Sequence, residues 1–138
     1  MGFKRVLLSD DGKLPGPMRA GDGLLANFIM KAYAAETDAT LDITDVAGGH
    51  IFQGTTLTSD VVYTLPTAAI ILAAFASMDV GDSYSIVVTN SQVGAFDVTI
   101  AVGTGITAVG ANNTLSVPPQ SSRIFTLVKT AATTMDLY

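Results

Sequence analysis

From residue 39 onward, apolar and polar residues recur with a period of two. Leu41 and Ile43 alternate with Asp42 and Thr44, and Val61, Tyr63 and Leu65 repeat the spacing. Tyr84, Ile86 and Val88 alternate with Ser85 and Thr89. The cleanest run is Phe96, Val98, Ile100 and Val102 set against Asp97, Thr99 and Ala101. Further strands are expected at 114–117, 123–129 and 133–138. Alternation sends one set of side chains into a core and the other toward solvent. The 17 threonines, with many valines and isoleucines, suit pleated backbone. Val-Gly pairs at 80–81, 93–94, 102–103 and 109–110 read as punctuation between strands and turns. Short strands this closely spaced predict an all-β chain. The expected form is a single β-sandwich, jelly-roll-like, or a tulip-like barrel.

One helix interrupts the alternation, near 67–77. Thr67 can cap it and Pro66 suits its first turn, while Asp79-Val80-Gly81 ends it. Ile70, Ala73, Ala74 and Ser77 share one face, and Ile71 and Phe75 an adjacent one. A helix apolar almost all round is buried on more than one side, inside its own fold or against another subunit. Ile70, Ile71, Ala74 and Phe75 are therefore the candidate subunit-contact residues. Upstream, Leu24, Leu25, Phe28 and Ile29 give residues 24–36 a helical spacing, with a strand through 27–34 as the competing reading. Residues 9–23 hold four Gly and two Pro, which exclude a long helix or a central strand. The chain accordingly divides into an extended N-terminal arm and linker, 1–36, and a β body, 37–138.

Charge sharpens this division. Residues 1–31 carry five basic against three acidic groups, whereas residues 32–138 carry two against nine. A basic leader precedes an acidic body. The body has no basic stripe, so no nucleic-acid partner is expected. The leader's only early apolar run, Val6-Leu7-Leu8, is too short for a signal peptide, and no apolar run approaches a membrane span. The expectation is a protein that needs no membrane and is made in the cytoplasm of its cell.

Candidate chemistry is sparse. With no Cys and one His, thiolate zinc sites and multi-His sites are excluded. His50 lies in Gly48-Gly49-His50 without a nucleophile elbow, and reads as a turn or surface residue. Gly103-Thr104-Gly105 loosely matches a dinucleotide fingerprint, but the residues that follow cannot form the helix whose amides would hold the pyrophosphate. It reads as a hairpin turn. Asp10 with Asp11, and Asp79 with Asp82, flank glycines in the manner of turns and lack calcium-loop spacing. Asn112-Asn113-Thr114 is a formal glycosylation sequon without a secretion context. The expectation is no enzyme and no cofactor or metal.

The series Tyr63-Thr-Leu-Pro-Thr-Ala-Ala through Phe75, Val80-Gly-Asp-Ser-Tyr84, Val98 through Gly103-Thr-Gly105-Ile-Thr107 and Arg123 through Val128 resembles structural proteins of tailed bacteriophages. The likeness spans roughly residues 60–138, to capsid decoration (cement) proteins and to head-fibre or tail-fibre modules. The leader, Lys4 through Met18, resembles the capsid-hugging arm of some decoration proteins. The resemblance implies a homotrimer on the outer surface of a phage head, with the major capsid protein as partner and a role in clamping neighbouring capsid subunits. Phe3, Lys4, Arg5, Val6, Leu7 and Leu8 would be the capsid-binding arm. The alternative it implies is a fibre module that binds a host-surface glycan.

Overall fold

The computed structural model describes residues 29–33, 37–54, 56–110 and 115–138. The strands are β1 (Ile29–Tyr33), β2 (Ala39–Thr40), β3 (Gly49–Gln53), β4 (Val61–Thr64) and β5 (Ser83–Asn90). They continue as β6 (Val98–Ala101), β7 (Ile106–Ala108), β8 (Ser116–Val117), β9 (Ser121–Lys129) and β10 (Met135–Leu137). Two short helices intervene, α1 (Ile43–Ala47) and α2 (Ala68–Ala74). The strands form two mixed sheets. One has six strands in the order β1-β3-β5-β9-β10-β7, and the other has four in the order β2-β4-β6-β8.

Through β6 the chain alternates between the sheets strand by strand. β1, β3 and β5 pair in parallel in the larger sheet, and β2, β4 and β6 pair in parallel in the smaller. Each circuit therefore runs from a strand of the larger sheet to one of the smaller and back through a short helix. The path is that of a flattened coil. Ile29 faces Gly49, and His50 faces Val87, so successive circuits differ greatly in length. The remaining strands close the stack: β9 runs antiparallel to β5 and β10, and β8 antiparallel to β6.

This topology departs from a jelly roll, whose strands pair antiparallel. No closed barrel is found, and the described residues hold two helices where one was expected. Residues 29–33 belong to a sheet, so the body reaches back past the expected boundary at 37, and the strand reading holds there over the helical one. The expected strand through Leu41 and Ile43 ends at Thr40; Asp42 turns the chain into α1. The carboxylate of Asp42 accepts from the amides of Thr44 and Asp45, and Asp45 returns a bond to the Asp42 amide, which completes a capping box. The Gly48-Gly49-His50 turn continues directly into β3. Gly49, at φ 75°, makes the reversal at the strand's first residue. The glycines at 103 and 105 do form a turn, yet it joins strands of different sheets and so is no hairpin.

Both sheets share one core. From the larger sheet come Ile51, Ile86, Val88, Phe125, Leu127, Met135 and Leu137; from the smaller, Val61, Tyr63, Val98, Ile100 and Val117. Buried polar groups stitch the layers. Gln53 Nε2 donates to Tyr63 Oη at 2.9 Å, and Asn90 Nδ2 donates to the carbonyl of Val117 at 3.0 Å. Buried amides keep such bonds because an unmet donor costs about 1–3 kcal/mol.

Candidate functional site

The exposed polar chemistry around His50 consists of small neutral groups. His50 lies on the outer face of β3, and its Nε2 is 3.0 Å from Thr89 Oγ1, which is 2.8 Å from Ser122 Oγ. These three side chains form a row across β3, β5 and β9, and among the described residues no acid orients the imidazole. Among the described residues, no group of three or more His, Cys, Asp or Glu side chains could hold a metal ion. Asp82 accepts from the amide of Asp79, as a turn aspartate does. Gly103-Thr104-Gly105 leads into strand β7 and opens no helix. Asp10, Asp11 and Asn112 through Thr114 lie outside the described residues.

Aspartates open the three parallel strands of the smaller sheet. Asp38, Asp60 and Asp97 stand immediately before β2, β4 and β6. Asp38 Oδ1 accepts from the Val62 amide and Asp60 Oδ1 from the Asp97 amide, each at 2.8 Å, and Ser116 Oγ donates to Asp97. The carboxylates of Asp38 and Asp60 thus satisfy backbone donors of the next circuit, and that of Asp97 holds a side-chain hydroxyl. Sequence reasoning missed this series; its signal was an Asp before each apolar run, obscured by uneven spacing.

The opposite end of the same strands is apolar and open. Because β2, β4 and β6 are parallel, their last residues converge there. The segments 40–43, 64–67 and 102–104, joined by Ile70, line a groove of about 610 Å³. Buried Leu41, Leu65 and Pro66 lie beneath the more exposed Ile43, Val102 and Ile70. Ile70 is 49% exposed. Asp42 supplies the carboxylate in this lining, and threonines complete it.

Helix α2 borders the groove. Thr67 caps it, its hydroxyl accepting from the Ile70 amide at 3.3 Å. Ala68, Ile71 and Leu72 face the core, whereas Ile70, Ala73 and Ala74 face outward. The four candidate contact residues are therefore split. Ile71 is fully buried in its own monomer and cannot meet another subunit in this fold. Phe75 is half-buried against Tyr84, with ring centroids 4.5 Å apart. Tyr84 in turn donates to the carbonyl of Ala47 at 2.8 Å, and burial pushes its phenol above the ordinary value. Ile70 and Ala74 remain available. Phe3, Lys4, Arg5, Val6, Leu7 and Leu8 lie outside the described residues.

No family model, curated protein or solved structure matches the chain.

Proposed function

We propose that this chain is a non-enzymatic structural protein of a phage head. In this reading it binds the outer surface of the capsid as a trimer, and its arm, Phe3 through Leu8, holds neighbouring capsid subunits. Residues 37–138, with β1, form a small sandwich that serves as the knob. The observation that supports it most is the open apolar end, where Ile70, Ile43 and Val102 stand exposed or half-exposed around a groove. Exposed apolar surface of this kind marks a protein contact. The resemblance across residues 60–138 supports the virion assignment. Lys4 and Arg5 would meet acidic capsid groups and fix orientation more than affinity.

The test is binding to purified heads that lack the protein. Deletion of residues 2–20 is expected to weaken binding while circular dichroism shows the body still folded. Equal binding by the truncated and full chains refutes the clamp. Intact virions are expected to carry hundreds of copies.

A second reading, a glycan-binding fibre module, is favoured by one feature. Thr89, Ser91, Gln120 and Ser122 line a neutral depression of about 380 Å³, with Phe52 in cross-strand register with Thr89. Glycan-array binding without affinity for heads, together with a handful of copies per virion, would select it.

A further inference from the structure

The groove beside α2 has a specific occupant within this chain. We propose that Val6-Leu7-Leu8 of one copy seats in the groove of a neighbouring copy, linking head proteins to each other as well as to the shell. This rests on the head-protein reading above and adds a receptor for the arm.

Three observations carry it. The first is chemical match. Val6-Leu7-Leu8 is the apolar run of the first 23 residues, and the groove presents Ile43, Ile70 and Val102 above buried Leu41 and Leu65. The second is charge. Lys4 and Arg5 precede the run, and the groove's carboxylate, Asp42, is exposed. Elsewhere the apolar patch is uncharged, so a basic pair has one anchor there.

The third is position. β1 begins at Ile29, which pairs with Gly49, and Gly49 follows α1, whose first residue Ile43 lines the groove. A five-residue helix is about 7.5 Å long, and paired strands lie about 5 Å apart. The chain therefore enters β1 at the grooved end of the body. Twenty residues separate Leu8 from Ile29, and such a tether reaches up to about 70 Å. A body of about a hundred residues has a radius of gyration of about 13 Å. The tether thus spans from one body to the groove of the next.

The absence of cysteine from the chain makes the test clean. Full-length Leu7→Cys protein is mixed with full-length Ile70→Cys protein under mild oxidation and run on a non-reducing gel. Ile70 is half-exposed, so its substitution leaves the core intact. A disulfide-linked heterodimer is expected to exceed either homodimer at least tenfold, and Leu8→Asp in the arm is expected to abolish it. The double variant, Leu7→Cys with Ile70→Cys, is expected to give interchain ladders. An intrachain loop in the double variant, or no heterodimer in the mixture with both Leu7→Cys and Leu8→Cys arms, overturns the proposal. Head binding is measured in parallel with Ile70→Asp. If cross-linking fails while arm deletion still weakens head binding, the groove proposal falls and the clamp stands. If arm deletion leaves head binding unchanged, the clamp itself falls.

Discussion

The bond between Gln53 and Tyr63 joins the two sheets at a point where both side chains are fully buried. Its worth can be measured with a double-mutant cycle. Tyr63→Phe removes a single oxygen and leaves the ring, so no large cavity forms. The cost is the Gln53 amide deprived of its phenolic acceptor, about 1–3 kcal/mol. Gln53→Leu keeps most of the volume and deprives the phenol of that donor, at a similar cost. Replacing both partners with apolar groups of like shape removes the mismatch. The double variant is therefore expected to be less destabilised than the singles added together, with a coupling of about 1–2 kcal/mol. At this chain length, 1 kcal/mol corresponds to about 4 °C in melting temperature. Tyr63→Phe should thus melt roughly 4–12 °C below the wild type on the same scale. Urea denaturation followed by circular dichroism gives the three free-energy differences. Additive effects, or a Tyr63→Phe variant as stable as wild type, would refute the claim that this bond is made in a dry interior between the sheets.

Three further outcomes follow from the same packing. Ile71→Ala is expected to lose about 2–5 kcal/mol, against under about 0.5 kcal/mol for Ile70→Ala one residue earlier, by chemical denaturation. Equal losses would mean that α2 is rotated from the orientation described. Gly103→Ala places its Cβ 2.4 Å from the Pro66 carbonyl oxygen and 2.5 Å from that of Leu65, so backbone must move; a loss of at least about 1–3 kcal/mol is expected in the same assay. Burial holds the Tyr63 phenol above 10.0, although its bond to Gln53 opposes this, and burial raises Tyr84 likewise. The folded state then keeps those protons longer than the unfolded chain does. Stability from these groups is complete below the ordinary phenol value of 10.0 and falls as pH rises through and above it, more steeply than in Tyr84→Phe. A melting temperature with no such difference between the two proteins would contradict the burial of Tyr84.

Local physics is what the amino-acid order carries by itself. Alternation located β4, β5, β6, β9 and β10, because successive side chains on a strand must point to opposite faces. Thr67 marked the start of α2, because a hydroxyl at that position can satisfy a free amide within three residues. Asp42 carried the same signal, overridden by the alternation of Leu41 and Ile43 on either side of it.

The pairing of strands was decided elsewhere. Ladder hydrogen bonds join backbone groups that every residue possesses, so the partners of β3 or β4 are not written beside them. The parallel circuits became visible only when Ile29 met Gly49 and His50 met Val87, at separations too unequal to read as a repeat. The same is true of α2, whose apolar residues surround the helix. Only packing against the core chose Ile71 for the interior and left Ile70 outside. The groove is the extreme case. Its lining comes from three turns far apart in sequence, brought together because parallel strands end at a common edge.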